Sequence, residues 1–394
     1  MKKFFSLTLA TVLAFSLVAC GSSNNSSASA DSQPAANAAP ATFKVGGIGP
    51  TTGGAAVYGQ AVKNAIQIAI DEINASGGIN GYQVEYRFQD DEHDAEKAVN
   101  AYNSLKDWGM QMLIGTVTSS PCIAVADKTK ADNMFQITPS GSAVECAVNP
   151  NVFRMCFSDP NQGIASAQYI NDHNLATKVG IVYDASDVYS SGITDKFRSE
   201  ANGKNFEIVA EEPFTADNKT DFSTQLTKIK NAGADLVFLP FYYSEAALLL
   251  NQAKQMEYEP TFFGCDGMDG ILTLDNFDKS LAEGLMLLTP FSADATDSLT
   301  RNFVSKYQSA HGEIPNQFAA DGYDCAYTLK LVLEKANANP SMSTSELCEL
   351  IKSNITQVTQ KGLTGDSISW KADGEPNKTP KAVVIQNGAY VLAE

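Results

Sequence analysis

Two apolar segments of this sequence end abruptly in clusters of small hydroxyl side chains. They are "MLIGTVTSS", residues 112–120, and "FQITPSGSA", residues 135–143. Hydroxyl and backbone N–H groups gathered at the end of a strand suit three kinds of chemistry. These are nucleophilic catalysis, the binding of phosphate and the binding of a small carboxylate. Other features of the chain are needed to choose among these three kinds of chemistry.

Catalysis by one of these serines requires a positioned base. The chain contains neither a G-x-S-x-G segment nor an S-x-x-K pair. Its three histidines, His93, His173 and His311, each stand among polar residues and are predicted to lie at the surface. We therefore expect no catalytic residue and no enzyme activity.

Phosphate and metal sites are not favoured either. The glycine-rich segment "GGIGPTTGG", residues 46–54, lacks the third glycine of a dinucleotide loop, and the chain contains no Walker sequence. The acidic run "DDEHDAE", residues 90–96, lacks the ligand spacing of an EF-hand. It is predicted to be a strand end followed by a helix capped at Asp94. No cofactor and no metal ion are expected.

The elements that position the hydroxyl clusters follow from a regular alternation of strand-like and helix-like segments. "FKVGGIG" (43–49) precedes an amphipathic segment at 59–75, and "KVGIVYD" (178–184) precedes a helix near 190–203. Such alternation predicts βαβ units with parallel strands. Two successive sets predict an α/β protein of two similar lobes, each a parallel sheet between two layers of helices.

Ligands of parallel sheets bind beyond the C-terminal ends of the strands, beside the N-termini of the following helices. Ser120 and Pro121 have the pattern of an N-cap followed by proline at the first helical position. Ser119 is therefore predicted at the positive end of a helix, and Ser142 takes the same place after the next strand. Both places favour an anion.

The N-terminus has the pattern of an export signal. Two lysines precede an apolar run at 4–19, and Leu17-Val18-Ala19-Cys20 resembles a bacterial lipobox. The pattern predicts a signal peptide at 1–19 and a lipid on Cys20. The Ser-, Ala- and Asn-rich residues 21–41 are predicted to form a disordered tether. No later apolar run approaches 18 residues, so an extracytoplasmic protein held at the cell membrane by its lipid alone is expected.

The net charge and the cysteine content argue against several kinds of binding partner. Loss of the two N-terminal lysines changes the formal charge from −17 to −19, which disfavours nucleic acid and anionic lipid surfaces. The six cysteines after Cys20 lack CxxC spacing, so a zinc site is not indicated. Export permits disulfides. Cys122 with Cys146, and Cys325 with Cys348, could pair.

Five segments carry a resemblance that covers residues 42–394. They are "GPTTGGAAVYGQAVKNAIQIAIDEINASGGINGY", "GTVTSS", "ITPSGSA", "DFSTQLTKIKNAGADLVF" and "GLTGDSISWKADGEP". In order and spacing they resemble the branched-chain amino-acid-binding (Leu/Ile/Val-binding) family, the substrate-binding lipoproteins of ABC importers with a type I periplasmic-binding fold. The resemblance implies a monomer that captures a small α-amino acid, branched-chain or aliphatic, by closure of a cleft. It would deliver this ligand to a permease with its ATPase subunits.

The resemblance also implies the polar contacts of the ligand. Matched by position, Ser119 and Ser142 would hold the α-carboxylate, and the Ser140 carbonyl with the Ser142 hydroxyl would hold the ammonium. An acid of the second lobe completes the ammonium site, and it falls on Asp266, where well-known members carry glutamate. Asp269 is a possible substitute.

Aromatic residues would form the remainder of the pocket. Tyr58, Tyr189 and Tyr242 match family positions that touch or cover the ligand, and Phe318 is expected at the apolar end. The segment "LPFYYSE" (239–245) differs from the family because bulky residues precede its tyrosines. The preferred ligand side chain therefore stays open.

The family fold implies three chain crossings, near 158–160, 290–292 and 363–370. The resulting lobes are 42–158 with 291–363, and 159–290 with 364–394. His93 and Thr118 occupy the positions of a first-lobe disulfide known in the family, so this disulfide is expected to be absent.

Two alternatives remain open. The same fold could bind a carboxylate without an amine, an amide or an aromatic amino acid, and this reading gains if Asp266 faces solvent. A protein of another class, a membrane-anchored ligand sensor, has the same sequence features.

Overall fold

The structure is a computed structural model that describes residues 41–393. The predicted signal peptide, Cys20 and nearly all of the tether lie outside these residues. The strands of the described part are β1 Phe43–Gly49, β2 Val84–Asp90, β3 Met112–Gly115, β4 Phe135–Thr138, β5 Val152–Arg154, β6 Lys178–Asp184, β7 Glu207–Phe214, β8 Leu236–Leu239, β9 Thr261–Gly264, β10 Met286–Thr289, β11 Lys381–Gln386 and β12 Ala389–Leu392. The α-helices are α1 Ala56–Ala75, α2 Ala95–Asp107, α3 Ser119–Ala131, α4 Asp159–Asp172, α5 Val188–Glu200, α6 Ser223–Ala232, α7 Tyr243–Gln255, α8 Ser298–His311, α9 Gln317–Lys335 and α10 Thr344–Ile355.

The strands form two sheets. The first has the order β2-β1-β3-β4-β5 and is parallel throughout. The second has the order β12-β11-β10-β9-β8-β6-β7, parallel from β6 to β10, with β11 and β12 added as an antiparallel hairpin. Strands β3, β4 and β8 are buried along their whole length, as expected where helices cover both faces of a parallel sheet. The predicted α/β class with two largely parallel sheets is confirmed.

Local signals located several helix ends. Helix α1 ends at Ala75, and Gly78, with a φ of 79°, donates its N–H to the carbonyl of Ile73, which closes the last turn. Asp94 caps α2 as predicted, because its carboxylate accepts the N–H of Lys97. The predicted cap at Ser120 is wrong by two residues, since α3 begins at Ser119, directly after the extended residue Thr118.

The chain passes between the two lobes at three places. The first passage follows β5 of the first sheet, because the next helix, α4, packs against α5 beside the second sheet. The second lies between β10 and α8, because α8 and α9 pack on α1 of the first lobe. We propose these two passages as the hinge crossings predicted near 158–160 and 290–292.

For the third passage, predicted near 363–370, we propose a later position. Residues 364–378, assigned above to the second lobe, are held by acids of α9, which belongs to the first. Asp324 accepts hydrogen bonds from the N–H and hydroxyl of Thr364, and Lys378 lies 2.7 Å from Asp321 in a buried ion pair. We therefore place the third crossing just before β11, since these contacts tie the segment to the first lobe.

The cysteines differ from one expectation. All six cysteines of the described residues are buried thiols, so neither proposed disulfide is present there. Cys122 and Cys146 pack in one small cluster, while Cys325 and Cys348 lie in the core on α9 and α10. Among the helices at 41–393, none has both the length and the apolar character needed to cross a membrane.

Candidate ligand-binding site

The first hydroxyl cluster stands between β3 and α3. Ser119 is the first residue of α3 and is almost fully buried. Its hydroxyl accepts the N–H of Ala143 at 3.2 Å, which ties the first cluster to the second. The backbone N–H groups of the first turn of α3 have no partner within a helix, so this end of α3 favours an anion.

The second cluster follows β4, and most of its hydroxyls have a structural role. Thr138 donates its hydroxyl to the carbonyl of Thr116 at 2.6 Å, and Ser140 donates its hydroxyl to the carbonyl of Val117 at 2.5 Å. The Ser140 hydroxyl is therefore occupied, and its carbonyl is the group left for a ligand. The Ser142 hydroxyl is buried and has no hydrogen-bond partner within residues 41–393.

A buried arginine that the sequence analysis missed holds the second cluster in place. Arg154, at the end of β5, donates to the carbonyl of Ser142, to that of Ala143 at 3.0 Å and to that of Val144 at 3.3 Å. Its Nε atom lies 3.0 Å from a carboxylate oxygen of Glu375. This arginine fixes the path of the loop that carries Ser142, and a lone arginine in an apolar strand was the available signal.

Asp159 is a second residue that sequence reasoning missed. It begins α4, and its N–H donates to the carbonyl of Ser142 at 3.0 Å. Its carboxyl lies beside the Ser142 hydroxyl, close enough to affect the pKa, although neither oxygen forms a hydrogen bond of good geometry within the described chain. Burial raises the pKa of Asp159 well above its ordinary value. Ser142 therefore lies next to both the N-terminal end of α4 and the carboxyl group of Asp159.

Asp266 projects from the second lobe, directly after β9. It is 3% exposed, and its Oδ1 atom accepts the hydroxyl of Tyr189 at 2.7 Å. Its N–H donates to Gln162, and its carbonyl accepts the side-chain amide of Gln317 from the first lobe at 2.9 Å. Burial raises the pKa of Asp266 to about 6, and the hydrogen bonds from Tyr189 and Gln162 limit the rise. The carboxyl is not solvent-facing.

Asp269, the possible substitute for Asp266, has a different place. Its Oδ2 atom accepts the backbone N–H of Gln317 at the start of α9, at 2.8 Å. It does not belong to the lining of the cavity that contains Asp266. Asp269 therefore joins the two lobes, and Asp266 is the acid that faces the candidate site.

The predicted aromatic residues meet between the lobes. Tyr58 of α1 donates its hydroxyl to the carbonyl of Gly267 in the second lobe, which is a direct contact across the cleft. Its ring lies 4.2 Å from that of Phe318 and 5.5 Å from that of Tyr242, measured between ring centroids. Tyr242 in turn stacks on Tyr189 at 4.9 Å. These rings form one continuous aromatic wall.

The bulky residue Phe241, which precedes Tyr242, is not part of this aromatic wall. Phe241 is buried in the second lobe, where its ring lies 5.0 Å from Phe214 and 6.3 Å from Phe222. It is absent from the lining of the candidate cavity. The departure from the family at "LPFYYSE" therefore changes the core of the lobe more than the space offered to a ligand.

Most of the predicted site residues line one small cavity between the lobes. It contains about 10 Å³ of free volume, room for about one water molecule. Ser142 is not among the residues that line it. The predicted residues that line it are Tyr58, Ser119, Ser140, Tyr189, Tyr242, Asp266 and Phe318. Because the aromatic rings fill the closed cleft, any ligand side chain has to displace rings or hold the lobes further apart. Their roles as ligand contacts stay predictions.

His93 is not the surface residue that its polar neighbours suggested. It is half-buried at the cleft, where its Nδ1 atom lies 2.9 Å from the hydroxyl of Thr118 and its ring meets Tyr242 edge-on at 5.5 Å. Desolvation lowers the pKa of His93, and the charge of Asp187 opposes this effect. His173 and His311 are exposed, as predicted.

The buried acids give the ligand-free protein an unusual pH dependence. The pKa values of Asp266 and Asp269 are raised to about 6 by burial, whereas an unfolded chain titrates near 4. Between these values the folded state binds more protons, so the free energy of unfolding falls as pH rises. Asp91 and Asp321, raised to about 7, act in the same direction. We expect urea unfolding to show greater stability at pH 5 than at pH 7.5 by several kcal/mol, with about 1.4 kcal/mol from each of Asp266 and Asp269 and more from Asp91 and Asp321.

The double variant Asp266→Asn with Asp269→Asn is the matched test of this pH dependence. It should lower the difference between pH 5 and pH 7.5 by roughly 1 to 3 kcal/mol, the share of these two acids, and leave the share of Asp91 and Asp321. A native protein that is less stable at pH 5 would contradict the raised pKa values.

Two lobes that close over a cavity, with a helix N-terminus on one side and a buried carboxylate on the other, define a binding protein for a small ligand. The model of the family described as periplasmic binding protein matches residues 42–389, and this chain belongs to that family. It is a family of substrate-binding proteins rather than of enzymes, and membership implies an extracytoplasmic location.

Individual relatives of the chain are named as amino-acid-binding proteins. The chain is 30% identical, over 76% of its length and 81% of the relative, to the Leu/Ile/Val-binding protein BraC3 of Rhizobium johnstonii. It is 27% identical, over 82% and 86%, to the leucine-, isoleucine-, valine-, threonine- and alanine-binding protein of Pseudomonas aeruginosa. Among solved structures, the branched-chain amino acid transporter substrate-binding protein LivJ of Streptococcus pneumoniae, in complex with isoleucine, superposes with a TM-score of 0.81 at 28% identity. The match covers 90% of this chain and 99% of that one.

Proposed function

We propose that this protein is the substrate-binding component of an ABC importer and captures a small aliphatic α-amino acid by closure of its two lobes. One observation carries the proposal. A buried carboxylate, Asp266 of the second lobe, and the positive N-terminus of α3 at Ser119 of the first lobe line the same cavity. A zwitterion needs one partner of each sign.

The energetics favour such a ligand. A buried charge without a partner costs several kcal/mol, so both ends of a zwitterion must be satisfied when it leaves water. The anion subsite belongs to one lobe and the cation subsite to the other. Full satisfaction therefore requires the closed cleft, and the binding energy shifts the population toward closure. A permease would recognise that closed shape.

The apolar part of the ligand would meet aromatic side chains. Tyr58 and Phe318 from the first lobe, with Tyr242 from the second, form the wall next to the charged groups. Because these rings already occupy most of the cleft, we expect a small aliphatic side chain, which would displace them less than an aromatic one. The relatives named above, which bind leucine, isoleucine, valine, threonine or alanine, support this size class.

The test is thermal melting of the protein after it has been unfolded and refolded to remove bound ligand. Each common L-amino acid and its deaminated acid is added in turn. A rise of the melting temperature with a few aliphatic amino acids alone supports the proposal. A rise with deaminated acids and none with amino acids would move the protein to the alternative, capture of another small carboxylate.

Anchoring to the membrane is proposed separately. We expect that Cys20 carries a lipid, that residues 21–41 tether the binding lobes, and that the protein acts as a monomer. Replacement Cys20→Ala should release the protein from the membrane fraction into the medium or periplasm. Retention of this variant in the membrane fraction would contradict the lipid anchor. A sensor role would instead require that loss of the protein leaves amino-acid uptake unchanged.

A further inference from the structure

A second cavity lies on the other side of the residues that follow Asp266. It has a volume of about 540 Å³, far more than the closed cleft. One wall comes from α8 and the loop between α8 and α9, in the first lobe. The other comes from residues 270–279, β10 and the β11–β12 hairpin, in the second. We call it the interlobe groove.

The groove is mainly apolar and has the size of a small-molecule site. Leu287, Phe291 and Val383 are buried in its walls, and Val304 and Ile314 add apolar surface from the first lobe. Ile314 is 59% exposed, which is unusual for a large aliphatic side chain next to a cavity. An apolar ligand body of a few carbon atoms would find contacts on both lobes.

The charges around the groove are mostly negative. Asp269 forms part of the wall and is 5% exposed, with one oxygen held by the N–H of Gln317. Its other oxygen, Oδ1, is buried and has no hydrogen-bond partner within residues 41–393, although the hydroxyl of Tyr390 lies nearby. Asp294 and Glu313 also line the groove, against a single lysine, Lys279. A buried, incompletely paired carboxylate in an apolar wall calls for a cation.

We propose that the interlobe groove is a second binding site, for a small primary amine with an apolar body. The ammonium would lie at Asp269 and Tyr390, and the body would lie against Phe291 and Leu287. Because the walls come from both lobes, such a ligand holds them at a fixed angle. Asp269 stands three residues from Asp266, so occupation of the groove would also stabilise the closed cleft.

The test uses phenethylamine as the probe, with 2-phenylethanol as its neutral counterpart and phenylacetate as its anionic one. Thermal melting of the purified full chain should show a saturable rise of several degrees at about millimolar phenethylamine. The alcohol and the acid should give less than a tenth of this effect. An equal rise with the alcohol would overturn the proposal.

Two variants separate the groove from the cleft. Asp269→Asn keeps an acceptor for the N–H of Gln317 but removes the charge, and it should weaken the amine effect at least tenfold. Asp266→Asn should leave the amine effect unchanged while it weakens amino-acid binding. An amine effect that is lost in Asp266→Asn and kept in Asp269→Asn would assign the amine to the cleft and overturn the proposal.

If Asp269→Asn folds poorly, a variant that fills the groove provides an independent test. Val304→Trp adds an indole to the groove from its α8 wall and leaves Asp269 in place. It should abolish the amine effect without loss of amino-acid binding. Full retention of the amine effect in Val304→Trp would show that the amine binds elsewhere.

Discussion

Asp266→Ala is expected to weaken the binding of an aliphatic α-amino acid by roughly 30- to 1000-fold, as measured by titration calorimetry at pH 7.5. This corresponds to about 2 to 4 kcal/mol, the cost of leaving one member of a buried charge pair without its partner. Asp266 is 3% exposed, so water cannot replace the carboxylate at the ligand ammonium. Tyr189 would also lose its hydrogen-bond acceptor in this variant.

Ligand chemistry provides the control for this prediction. The deaminated acid with the same side chain has no ammonium, so Asp266→Ala should change its affinity by less than about threefold. Asp269→Asn serves as the matched acidic control and should leave amino-acid affinity nearly unchanged. Equal losses of affinity for the amino acid and for its deaminated acid would contradict the assignment of Asp266 to the ammonium.

Arg154→Met is expected to lower the free energy of unfolding by roughly 3 to 5 kcal/mol, because a fully buried guanidinium loses its ion pair with the partly buried Glu375 together with three hydrogen bonds to carbonyls. Glu375 would lose its cation, and the carbonyls of Ser142, Ala143 and Val144 would each lose one donor. The loop that carries Ser142 would also relax, so the variant should bind amino acids more weakly. Urea unfolding and calorimetry measure the two effects.

Arg198→Met is the matched control, since it makes the same change at an exposed ion pair. Arg198 contacts Glu211 and Asp195 with 42% of its side chain exposed. Surface pairs of this kind contribute less than about 1 kcal/mol. If the two arginine variants lost the same stability, the bracing role of Arg154 would have to be abandoned.

Much of the architecture could be predicted from the chain alone. Strand-helix alternation gave two α/β lobes, and capping residues such as Asp94 and Gly78 located helix ends to within a few residues. These features depend on periodicity and turn chemistry, which act between residues close in sequence. The error at the start of α3 has the same origin, because Thr118 and Ser120 offer nearly equal capping side chains.

The family resemblance added the residues of the candidate site, and the structure collected seven of the eight around one cavity. The role of each hydroxyl was not predictable in this way. Ser140 uses its hydroxyl to hold Val117, whereas the Ser142 hydroxyl is left without a partner in the described residues. Both residues are serine, and the difference depends on which carbonyl the tertiary fold brings within reach.

The sequence by itself determined the class of the protein, its two lobes and the kinds of side chain at the ends of its strands. Only the tertiary structure decided that Asp266 faces the cleft while Asp269 faces the interlobe groove, that Arg154 holds the Ser142 loop, and that His93 lies at the cleft. The physical reason is the range of the interactions. Residues far apart in the chain meet only after the sheets and helices have packed, so burial, and with it the cost of each unpaired charge, is a property of the whole fold.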